Sequence, residues 1–194
     1  STLIAQTPLA GPNAVLQPGW LLQNMAGVGD ATVRTQDNYM SMGIGVVEWY
    51  LVAREVSTST AGDNFTERMG IFDSDTAPAD GVFFRYDSDV NSGEWEAVAI
   101  ATGGGAETAV DTNIVYTAGT TRSWYILVDA TSANAYFYIS GTLVATISTA
   151  ADIPDGTEYT GMGWTANKTA SAGTVVSMTM DYIAGKITFT TPRC

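Results

Sequence analysis

The sequence predicts an all-β fold, a two-sheet antiparallel sandwich of jelly-roll type with an irregular N-terminal arm, and a few observations carry that expectation. Thr121 to Thr149 reads as successive runs of alternating or β-branched residues separated by short breaks. In the first run Trp124, Ile126 and Val128 share one face while Tyr125, Leu127 and Asp129 share the other, which is the period of a strand. Similar runs recur at strand-and-turn spacing along the chain, and no segment carries a convincing helical period.

Taken in order, residues 1–38 differ from the rest. Pro8, Gly11-Pro12-Asn13 and Pro18-Gly19 interrupt regular structure, whereas Trp20, Leu21, Leu22 and Met25 form an apolar cluster. This reads as an attachment arm that either folds back over the sandwich or docks on a partner, since exposed apolar segments mark interfaces. Residues 39–194 form the sandwich domain. Val46 to Val56 is apolar on both faces apart from Glu48, as expected of a strand crossing the middle of a packed sheet. Glu67 to Asp73, Gly81 to Asp87 and Glu94 to Thr102 follow, each bounded by turn residues, and Asn113 to Tyr116 comes after the Gly103–Gly105 loop. In the central meander Ser140-Gly141 separates Ala135–Ile139 from Leu143–Ile147, a hairpin signal. Tyr159–Trp164 and the longer Thr174–Thr190 close the domain.

Bulk composition narrows the chemistry. The chain of 194 residues suits one domain. A net charge of −12 repels a duplex or an anionic membrane, so neither nucleic acid nor membrane is an expected partner. The single cysteine, Cys194, precludes an intrachain disulfide. No segment has the length of a membrane span, and the opening residues lack a secretion signal; Ser1 is read as following either Met removal or proteolysis. With no histidine, Ser-His-Asp, Cys-His and His-ligated zinc chemistry are excluded together, leaving carboxylates as the chemistry to search.

The progression GIFDSDTAPADGVFFRYD, GEWEAVAIATGGG, SWYILVDATSANAYFYISGTLVATISTAADIP and MTMDYIAGKIT resembles concanavalin A-like (lectin- and glucanase-type) sandwich domains of tailed-bacteriophage structural proteins. The resemblance covers roughly residues 44–190 and rests on diffuse apolar patterns, with Tyr138-Ile139-Ser140-Gly141 and Asp181-Tyr182-Ile183 at matching positions. It implies a non-enzymatic virion structural protein on the exterior surface of the particle. That protein is a capsid decoration or head-fibre component attached through the arm to other virion proteins, and a homo-oligomer, a trimer by family habit. The alternative it implies is a carbohydrate-binding, host-receptor module of a tail fibre or tailspike that contacts a cell-surface glycan.

Three constellations bear on these readings. Glu94 and Glu96 flank Trp95 and project on one strand face, as the acids of glycoside hydrolases on this sandwich do, but the E-x-D-x-x-E run of those enzymes is incomplete here. They are read as solvated acids beside a core Trp95, and no catalytic residue is expected. Asp87, Asp89 and Asn91 space oxygen ligands like the start of a calcium loop, although Val98 cannot ligate at the twelfth position. Calcium is thus the one cofactor left open, the competing reading being ordinary turn residues. Tyr136, Tyr138 and Trp164 are the candidate glycan platform, set against core packing of the same aromatics. Asn64-Phe65-Thr66 and Asn167-Lys168-Thr169 match the glycosylation pattern by chance in this reading.

Overall fold

A computed structural model describes residues 21–25, 28–35, 40–55, 59–60, 63–87, 89–102, 106–170 and 176–190. Strict alternation makes the strands. Along β3 (Gly45–Glu55), Val47, Trp49, Leu51 and Ala53 are buried while Val46, Glu48, Tyr50, Val52 and Arg54 face outward. The strands before it are β1 (Leu21–Met25) and β2 (Gly29–Arg34). Those after it are β4 (Phe65–Phe72), β5 (Gly81–Asp87), β6 (Glu94–Ile100), β7 (Thr108–Val115), β8 (Thr121–Val128), β9 (Ala135–Ile139), β10 (Thr142–Ile147), β11 (Gly161–Lys168) and β12 (Val176–Phe189). The first sheet runs β1-β12-β3-β8-β9-β10 and the second β2-β11-β4-β5-β6-β7, all pairs antiparallel.

The inward faces meet in one apolar core. Trp49, Trp95, Trp124, Trp164, Phe84 and Phe137 are fully buried there, and each contributes about 1.5–3 kcal/mol or more of transfer free energy. Phe84 and Phe137 pack edge to face across the two sheets, with centroids 5.2 Å apart. The meander forms as expected: Trp124 pairs with Ile139 and Val128 with Ala135. Ser140 (φ 51°) and Gly141 (φ 79°) make the two-residue turn whose positive φ values match strand twist.

Several elements differ from the sequence reading. The segment read as an irregular arm contributes β1 to the first sheet and β2 to the second. Backbone pairing drives this, because β12 and β11 would otherwise present long open edges, and such pairing leaves no hydrophobic period to read. Trp20 and the side chains of Leu21, Leu22 and Met25 lie outside the described residues. The strand expected from Asn113 begins at Thr108 and carries a bulge, with Asn113 at φ 56°. Tyr159 precedes β11 and is 57% exposed.

Candidate functional site

The second sheet turns a charged surface outward. Its alternation places Thr32, Thr165, Arg68, Arg85, Glu96 and Asp111 in one register row across β2, β11, β4, β5, β6 and β7. The neighbouring row reads Asp30, Asn167, Thr66 and Asp87. On the other side stand Gly163, Gly70, Phe83 and Val98, where the chain from Asp73 to Asp80 lies over the sheet. Thr165 Oγ1 donates to the Asp75 carbonyl at 2.8 Å, and Arg34 Nε to Asp75 Oδ1 at 2.7 Å. This covering segment accompanies a small apolar cluster of Phe72, Phe83 and Val98 on the outer side of the sheet. Gly70 (φ +150°) permits the arrangement, since a Cβ there would stand 2.6 Å from the Val82 carbonyl.

Arg68 and Arg85 are direct cross-strand partners, a like-charge pairing that needs compensation. Arg85 has it: Glu96 accepts from Nε at 2.9 Å and Glu107 from Nη1 at 2.8 Å. Arg68 is compensated only through the charges of Asp87, Glu107 and Asp30, and its Nη1 is buried with no hydrogen-bond partner among the described residues. Burial, and then the charge of Arg85, pull the Arg68 guanidinium below its ordinary value.

The row ends in carboxylates. The β7 bulge brings Asp111 beside Glu94, to which it is hydrogen-bonded. Partial desolvation and the Asp111 charge hold Glu94 above the usual glutamate range, while the Asn113 backbone N–H (2.7 Å) and the Asn91 side chain hold Asp111 below the usual aspartate range. Neighbouring carboxyl groups pushed in opposite directions divide naturally into proton donor and proton acceptor.

The inward face carries acids of another kind. Glu55, fully buried, accepts from Trp95 Nε1 at 2.8 Å and from the Thr117 N–H at 2.9 Å, and is paired with Arg122. Its carboxyl is raised by burial, against those donors. Glu67, 1% exposed, accepts from Trp164 Nε1 and is pushed up to about 8, chiefly by burial. Both face the core, where no substrate reaches.

The structure separates the residues singled out from the sequence. Tyr136 and Tyr138 face outward on β9, whereas Trp164 points inward on β11 and is fully buried, so it is removed from the glycan platform. Asp87 Oδ2 accepts from Thr66 Oγ1 at 2.7 Å and its Oδ1 from the Asp89 N–H at 3.0 Å, while Asp89 Oδ2 accepts from Asn64. Asn91 lies beside Asp111, its amide nitrogen buried without a hydrogen-bond partner among the described residues. The Asp87 and Asp89 carboxylates thus serve hydrogen bonds to Thr66, Asn64 and the Asp89 backbone, and among the described residues no group of three or more acidic, His or Cys side chains converges. Glu94 and Glu96 do share an outward region, and the sequence missed their companions Arg68, Arg85 and Asp111. The available signal was the outward phase of Arg68 and Arg85 in their strands.

No family model matches the chain, and no curated protein matches it. Solved structures do. The alginate lyase AlyC3 in complex with dimannuronate superposes with a TM-score of 0.61 at 12% identity, over 89% of this chain and 76% of that one. A structure from work on endo-acting O-glycanases of the human gut microbiota gives 0.60 at 10% identity, over 88% and 80%. The polysaccharide lyase family 18 protein aly-SJ02 gives 0.54 at 12%, over 92% of both chains. A sialidase gives 0.57 at 9% identity, and the chain spans only 15% of its length. These likenesses establish the concanavalin A-like jelly-roll fold. They overturn the expectation of a non-enzymatic virion structural protein, because the similar structures are polysaccharide lyases and glycanases, and a phage origin gains no support from them.

Proposed function

We propose that this protein is a carbohydrate-active enzyme that binds an acidic glycan across the outer face of the second sheet and hydrolyses it at the Glu94–Asp111 end. The observation that carries this reading is the presence, on one outward face, of a half-buried guanidinium with a donor unpartnered among the described residues and a carboxyl pair with divergent proton affinities. Arg68 and Asp111 stand three strands apart in one row, about 14 Å at ordinary strand spacing. A glycan running across the strands reaches both.

In this reading a sugar carboxylate pairs with Arg68, whose planar fork suits a carboxylate. Arg85 is occupied by Glu96 and Glu107, so it holds Glu96 in place beside the reacting bond. Glu94, held above its ordinary value and positioned by its contact with Asp111, donates a proton to the leaving glycosidic oxygen, and Glu96, two residues along the same strand face and about 7 Å away, takes a proton from the attacking water. Hydrolysis is preferred to elimination because the chain has no histidine and this face has no tyrosine among the described residues to act as the carbon-acid base. The likeness to alginate lyases and a glycanase supports carbohydrate as the substrate class.

The test is incubation with a panel of uronate-bearing polysaccharides, following new reducing ends and absorbance of unsaturated sugars together. Reducing ends without unsaturation, abolished in Glu94→Gln, are the expected result. Unsaturated product would overturn hydrolysis, and binding without cleavage of any panel member would overturn the enzymatic reading.

A further inference from the structure

The first sheet turns a surface of different chemistry outward. Tyr50, Tyr125 and Tyr138 on β3, β8 and β9 are successive cross-strand partners. Tyr182 on β12 adjoins Tyr50, its own partner being Val52. The rings form a continuous line, with centroids 5.8 Å apart for Tyr182–Tyr50, 6.5 Å for Tyr50–Tyr125 and 5.5 Å for Tyr125–Tyr138. Leu143, the partner of Tyr138, extends it on β10. The two ends are open, Tyr182 at 54% and Leu143 at 50% exposed.

Beside the row, Glu48 accepts from Tyr125 O–H at 2.8 Å and from Lys186 Nζ at 2.9 Å. Those two charges cancel, so the strip is locally neutral in a chain of net charge −12. The carboxylate is held by two donors at once. Each tyrosine offers an apolar ring with a polar tip, and together they make an amphipathic strip across the strands.

We propose that this tyrosine row is a second glycan-binding surface, for a neutral polysaccharide chain lying across β12, β3, β8 and β9 on the side of the sandwich opposite Arg68. Neutral sugars present apolar C–H faces and hydroxyl groups in alternation, which rings and phenolic hydroxyls match. The absence of net charge on the strip leaves nothing to hold an anionic chain. A second copy of this chain is the disfavoured occupant, since pairing would bring together two molecules of charge −12 each.

The test is affinity electrophoresis of the full chain carrying Glu94→Gln, in gels containing laminarin, galactomannan or soluble starch, with alginate as the anionic control. Retardation by at least one neutral polysaccharide is expected. Combining Tyr50→Ala with Tyr182→Ala should weaken it about tenfold, whereas Tyr50→Phe with Tyr182→Phe keeps the rings and most of the effect. Arg68→Gln should leave it unchanged. Equal retardation of parent and alanine variant, retardation by alginate alone, or a dimer in light scattering that the alanine variant dissolves would each overturn the proposal. Cleavage of short acidic oligosaccharides by the otherwise parental chain is unaffected by the tyrosine changes, so this surface and the proposed hydrolytic face fail separately.

Discussion

The two outward faces of this sandwich arise from the same strand alternation and carry opposite chemistries. On the second sheet, outward positions hold Arg68, Arg85, Glu96 and Asp111, two cations followed by two acids, with one donor that has no partner among the described residues. On the first sheet, the equivalent positions hold Tyr50, Tyr125 and Tyr138, with one neutralised ion pair beside them. Inward positions are constrained by burial to large apolar groups, so both sheets share tryptophan and phenylalanine there. Outward positions carry no such constraint and are free to specialise, which is why functional contrast appears between faces rather than between strands.

The comparison depends on the interior being closed to water, and Glu67 tests that condition most strongly. The unfolded chain ionises this carboxyl near 4.5 and the folded chain near 8. Its penalty is therefore absent below pH 4.5, grows as pH rises, and is complete above pH 8. Glu67→Gln should match the parent near pH 4 and exceed it at pH 9 by on the order of 4 kcal/mol in urea unfolding. A constant difference across pH would mean that water reaches this group.

On the charged face, Glu94→Gln combined with Asp111→Asn should lower hydrolytic turnover about 100-fold or more without a shift in melting temperature. Arg68→Gln should raise KM for an acidic glycan about tenfold, as expected for a lost hydrogen bond to a charged group, with kcat little changed. The smallest effect lies on the tyrosine face. Tyr125→Phe removes one bond to Glu48, which Lys186 still holds, so chemical denaturation should show a loss of about 0.5–1 kcal/mol.

Much of the fold was legible in the sequence because burial writes a period of two into each strand. The alternation around Trp124 and the Ser140-Gly141 turn gave the meander. The strands β1 and β2 were illegible because they complete sheet edges, where backbone hydrogen bonds decide and side chains need no pattern. Trp164 shows the limit for sites: an aromatic residue reads alike as a platform or as core, and only the facing Glu67 indole contact settles which. Glu94 was visible as chemistry in the sequence, but Asp111 reaches it only through a bulge that periodicity cannot announce.

The central claim is that a glycan lies across the outer face of the second sheet. A crystal structure of Glu94→Gln with a uronate oligosaccharide taken from the cleavage screen tests it most directly. Sugar density is expected along Arg68, Arg85 and Glu96, with a carboxylate on the Arg68 guanidinium and a glycosidic oxygen beside position 94. Density confined to any other surface, with Arg68 still unpartnered, would contradict the claim.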